Sequence, residues 1–160
     1  MQKIYLDTST ISCLQVDDYR QGISNDFWDV LKSGNYEIFI SATVLKELGE
    51  CPEPKRTYLF ARLTELEYIT LTPSEEVMEL AQIYIDNKVL PPASMADAEH
   101  IAYAVIEKCD MLVSWNFNHL VNPKTISGVR YINAVNNYAE MGIYSPEMVL
   151  GGLDEEVKNG

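Results

Sequence analysis

Four short apolar runs, residues 4–6, 36–40, 68–71 and 111–114, are each separated from the next by segments of helical period. A strand that rejoins its sheet after a helix lies parallel to the one before it. This alternation predicts a three-layer α/β/α sandwich with a mainly parallel central sheet. The first long helix, residues 18–32, carries Tyr19, Ile23, Phe27, Val30 and Leu31 at helical spacing and stops at Ser33-Gly34-Asn35. Ser41 is expected to cap a helix over 42–50, and a further helix is expected over 55–66. Thr72-Pro73-Ser74-Glu75-Glu76 reads as a helix start with Pro73 at the first helical position, and that helix runs to Asn87. Ser94 is expected to cap a helix over 95–108.

Beyond Thr125 the pattern weakens. Residues 130–140 read as a helix or a short strand, Ile143-Tyr144-Ser145-Pro146 as extended, and the acidic end from Gly151 as frayed. The 160 residues are therefore divided into a domain over 1–135 and a C-terminal extension over 136–160, packed on that domain or frayed from it. No apolar run approaches the roughly 20 residues that cross a bilayer, and no basic, hydrophobic leader opens the chain, so a cytoplasmic protein is expected. Cys13, Cys51 and Cys109 are odd in number and widely spaced, which predicts free thiols.

The formal charge is −12, from 24 acids against 12 bases. Such a surface does not grip nucleic acid by general attraction, because phosphate neutralisation needs clustered Lys and Arg. Contact with nucleic acid must then be local and metal-bridged, and a basic protein partner suits the acidic surface.

Asp7 follows the first apolar run and is followed by three hydroxyls, Thr8-Ser9-Thr10. In parallel α/β sheets ligands gather beyond the carboxyl ends of strands, so an acid there is placed to hold a cation; the plainer role is a helix cap. Glu47 sits at the edge of the arc formed by Val44, Leu45 and Leu48, aimed partly inward, with Glu50 as the alternative. Asp97 falls between Ile101 and Ala104 on the helical wheel, where a carboxylate needs a partner. A competing role is the capping box Ser94-Met95-Ala96-Asp97. Glu99 is turned about 160° away and belongs elsewhere. Asn116, after the fourth run, meets Asp7 if the first and fourth strands are neighbours.

Taken together, Leu6-Asp7-Thr8-Ser9, the stretch from Ser41 to Leu48, Asp97-Ala98-Glu99-His100-Ile101-Ala102-Tyr103-Ala104 and Leu112-Val113-Ser114-Trp115-Asn116 resemble the four ordered motifs of PIN-domain nucleases. The likeness is nearest to VapC-type toxin ribonucleases of toxin–antitoxin pairs and covers about residues 3–135. It implies a PIN-like fold and a metal-dependent ribonuclease in which Asp7, Glu47 and Asp97 hold Mg²⁺ or Mn²⁺ against an RNA substrate. Asn116 occupies a fourth position that is often Asp, and Ser9 supports the acids by hydrogen bonding. The resemblance also implies an antitoxin partner, for which the charge favours a basic protein. Oligomeric state is left open: PIN toxins commonly form homodimers, and apolar surface around Phe27 and Trp28 is one candidate face, which core packing explains equally well. His100 and His119 are read as structural. Two rivals remain: an inactive PIN-like binding module, and a phosphatase with Asp7 as nucleophile, which wants a second Asp where Ser9 stands.

Overall fold

The computed structural model describes the backbone of residues 1–159 and side chains through residue 153. Five strands, β1 (Gln2–Leu6), β2 (Tyr36–Ser41), β3 (Tyr68–Leu71), β4 (Met111–Val113) and β5 (Gly142–Tyr144), form one sheet in the order β3-β2-β1-β4-β5. Every pairing is parallel. Ile4, Tyr5 and Leu6 are completely buried, as a central parallel strand covered on both faces must be. The predicted sandwich is therefore what the chain forms.

The order has a physical consequence for function. After β1 the chain builds outward through β2 and β3, then returns to the opposite side of β1 with β4. The two connections part at the carboxyl ends of β1 and β4 and leave a crevice there, the usual place for a ligand in an open α/β sheet.

Eight α-helices flank the sheet among the described residues: α1 (Thr8–Ser12), α2 (Arg20–Lys32), α3 (Ala42–Gly49), α4 (Lys55–Leu63), α5 (Glu75–Asp86), α6 (Met95–Ile106), α7 (Pro123–Val135) and α8 (Pro146–Asn159). α5 packs closely on α6, and α2 on α8. Gly34, at φ +83°, takes the left-handed turn that ends α2. The three cysteines are free.

Several local expectations are corrected. Ser74, not Thr72, caps α5 by accepting the Val77 amide, so Pro73 lies before the cap. Ser94 makes no side-chain cap; it closes a one-turn 3-10 helix, Pro92–Ser94, that runs straight into α6. Phe27 and Trp28 are fully buried in the core, so they offer no dimer face. Of the uncertain stretch 130–140, the part to Val135 is helical within α7 and the rest is turn and loop, and the C-terminal segment supplies both β5 and α8. Expected to fray from Gly151, that end is helical in backbone to Asn159; the acidic side chains from Asp154 and all of Gly160 lie outside the described residues.

Candidate active site

β1 ends by delivering Asp7 into the crevice, where its backbone N–H donates to the Val113 carbonyl of β4. The side chain caps α1 and is only 4 % exposed. Oδ1 accepts from the Ser9 hydroxyl at 2.7 Å and the Thr10 amide at 3.1 Å, while Oδ2 accepts from Ser114 at 2.5 Å. Capping and site placement are thus the same geometry rather than alternatives. The Thr10 hydroxyl donates to the Val113 carbonyl at 2.8 Å, which ties the two strands together just below the carboxylate.

Asn116 arrives from β4 as its neighbour, its amide held by the Ser114 hydroxyl at 2.9 Å. Its Nδ2 approaches Asp97 Oδ1 at 3.4 Å, and its Oδ1 accepts from the His119 amide. His119 Nδ1 lies 3.4 Å from the other Asp97 oxygen. Asp97 therefore points across the crevice from α6 and does not close a capping box. Burial pushes its carboxyl above the ordinary range, the nearby charges of Asp7 and Glu47 add to this, and His100 and His119 oppose it.

Glu47 reaches in from α3. Its Oε1 accepts from the Thr8 hydroxyl at 2.9 Å and meets His100 Nε2 at 2.7 Å, whereas Oε2 takes no hydrogen bond among the described residues. Burial would push this carboxyl up, but the bond and charge of His100, with Thr8, outweigh it and hold it low. Glu50 is exposed and ends α3 as its C-cap, outside the cluster. Glu99 accepts from Thr43 instead, as its angular separation predicted.

His100 is the residue whose part in the site went unread. Its ring is 2 % exposed and runs from Glu47 to the Tyr5 phenol, which meets Nδ1 at 2.7 Å and donates to Ser41 Oγ at 2.7 Å. Burial disfavours its charge, yet the bond to Glu47 and the charges of Asp7, Glu47 and Asp97 prevail and raise its pKa. One signal was available: three residues past Asp97 on a helix is a neighbouring position on the same side.

The three acids thus share one electrostatic neighbourhood, but each is drawn to its own donors. Among the described residues no group of three His, Cys, Asp or Glu side chains is close enough to hold a metal ion jointly. The donor chemistry nevertheless suits a hard cation: three carboxylates, partly desolvated, whose mutual repulsion a divalent ion relieves.

No protein-family model matches the sequence, and no curated protein matches it either. Solved structures do. The VapC20 toxin of Mycobacterium tuberculosis, described as sarcin-ricin loop cleaving, aligns at 18 % identity and TM-score 0.58 over 72 % of this chain and 92 % of its own. A chain of the VapBC2 complex of Rickettsia felis, bound to a DNA fragment from their promoter, aligns at 17 % identity and TM-score 0.55 over 90 % of this chain and 98 % of its own. The fold is that of VapC-type PIN-domain toxins. Asp7, Ser9 and Asn116 lie where β1 and β4 end side by side, Asp97 touches Asn116, and Glu47 is linked to them through Thr8 and His100.

Proposed function

We propose that the chain is a metal-dependent endoribonuclease, the toxin of a toxin–antitoxin pair, which hydrolyses RNA phosphodiester bonds. The observation that supports this reading is a hydrogen-bonded chain that links Asp7 through Ser114 and Asn116 to Asp97, with Glu47 held by Thr8 next to Asp7. The VapC fold supports it, as does the hard-oxygen character of the donors.

Asp7, Glu47 and Asp97 would hold Mg²⁺ or Mn²⁺. When bound, such an ion polarises a phosphate and lowers the pKa of water. The chain's own contribution is orientation. Ser9, Thr10 and Ser114 fix the Asp7 carboxylate, and Thr8 and His100 hold one oxygen of Glu47 so that the other stays available to ligand or water. Asn116 aligns Asp97 without adding charge. Next to Asp97, His119 joins a cleft of about 600 Å³ that Lys88, Lys124 and Asp86 also line, where the two lysines can meet a flanking phosphate. A basic antitoxin fits the overall charge of −12. A phosphatase with Asp7 as nucleophile wants a second Asp where Ser9 stands, and Ser9 instead donates to Asp7.

RNA cleavage with Mg²⁺ or Mn²⁺, against a chelator control, tests the reading. Asp7→Asn and Asp97→Asn should each lose about 100-fold or more in rate, as expected when a preorganised charge is removed from a reacting centre. Undiminished cleavage by both variants would end the mechanism. The inactive binding module stays as the second reading because the acids are not gathered into a ready-made metal group; titration calorimetry showing no Mg²⁺ or Mn²⁺ binding would favour it.

A further inference from the structure

We propose that Tyr19 and Phe117, mounted on Trp115 at the rim of the acidic crevice, form a stacking platform for unpaired bases of the RNA; this deepens the ribonuclease reading and rests on it. Trp115 is buried at 3 % exposure, while Tyr19 is 65 % and Phe117 44 % exposed. Both outer rings meet the indole at steep angles, Tyr19 at 6.0 Å and 89°, Phe117 at 6.2 Å and 65°. Because neither lies flat on Trp115, at least one π face of each is left uncovered by it.

The mount is rigid and is joined to the site. The indole N–H donates to the buried Ser24 of α2 at 2.8 Å, and the Trp115 amide donates to Ser9 Oγ at 2.9 Å. That same Ser9 hydroxyl donates to Asp7. Asn122 Nδ2 donates to the carbonyls of Phe117 and Asn118, and the Leu120 and Val121 amides donate to the Asn116 carbonyl. Phe117 therefore stands one residue beyond Asn116 on a hydrogen-bonded loop, and Tyr19 is brought to it from the N-terminus of α2.

RNA is the occupant that this arrangement favours over a protein. With a net charge of −12 the chain gains little from general phosphate attraction, so contacts indifferent to charge add affinity that the phosphates do not supply. Every base has a π face, and stacking on exposed aromatic rings selects single strands because paired bases already stack on one another. A platform fixed to the residues that hold Asp7 would place the phosphate next to the stacked base near the carboxylates.

The test compares Tyr19→Leu, Phe117→Leu and Phe117→Tyr with the otherwise unaltered chain. Binding of a labelled, unstructured RNA oligonucleotide is measured in the non-cleaving Asp7→Asn background, and KM and kcat on the same RNA without it. Each Leu variant should weaken binding and raise KM by about 10-fold, with kcat little changed and Phe117→Tyr close to the parent. Leu variants that bind and cleave like the parent, or that lose affinity equally for a duplex of the same sequence, would overturn the platform and leave the nuclease reading standing. If RNA binding is unchanged and only self-association on a sizing column falls, the rings serve a protein contact and the proposal is wrong. A parent that neither binds nor cleaves the oligonucleotide in Mg²⁺ or Mn²⁺ removes the ribonuclease reading itself.

Discussion

The contact between His100 Nε2 and Glu47 needs a proton on that nitrogen, since a bare lone pair would face an ionised carboxylate. Its pKa is raised, so its favourable contribution to folding is complete below the ordinary 6.5 and is lost as pH rises through the folded-state value. For Glu47, held low, the contribution is complete above 4.5 and is lost as pH falls through its own folded-state value. In chelator-containing buffer, His100→Gln should therefore cost about 1–3 kcal/mol. That difference should be largest between pH 4.5 and 6.5. Urea unfolding at a series of pH values checks this, and a difference that does not vary with pH would separate the stability of the fold from this pair. At the same scale, Ser114→Ala removes a 2.5 Å bond to Asp7 and an anchor of the Asn116 amide. Cleavage should fall about 10-fold, in the range found for groups that support a ligand without touching the substrate.

Among the elements, α5 and α7 are joined by a buried bond in which the Tyr84 hydroxyl donates to Asn133 Oδ1 at 2.6 Å. Tyr84→Phe strands that oxygen without changing shape, and should destabilise the fold by about 1–2 kcal/mol in chemical denaturation while leaving RNA cleavage at parent rates. The elements also show what a reader of residues can and cannot recover. Asp7 and Asp97 were legible because each breaks a local pattern, a hydroxyl-rich exit from an apolar strand and an acid on an apolar helical stripe. The contact between His100 and Tyr5 was not, because it depends on how α6 lies over β1. The pairing of Tyr19 with Trp115 was hidden for the same reason, with most of the chain between them. In α8, Gly151 and Gly152 are poor helix formers, and they masked a start signal in which Ser145 caps the Met148 amide with Pro146 as the first helical residue.

For the molecule as a whole, the acidic crevice stores repulsion. Asp97 is pushed up by burial and by Asp7 and Glu47, and a divalent ion is the natural counter-charge. Adding Mg²⁺ or Mn²⁺ at about 100 times its dissociation constant should stabilise the protein by about 2.7 kcal/mol. Asp97→Asn should abolish that response while unfolding at a higher temperature than the parent in chelator. A thermal midpoint indifferent to both ions in the parent would argue that the acids hold none. β1 bonds on one side to β2, made soon after it, and on the other to β4, made much later. During synthesis, then, the emerging polypeptide already carries Asp7 and Glu47 but lacks the wall that completes their surroundings. The crevice beside Asp7 and Glu47 is therefore closed only after the chain has been made as far as Asn116.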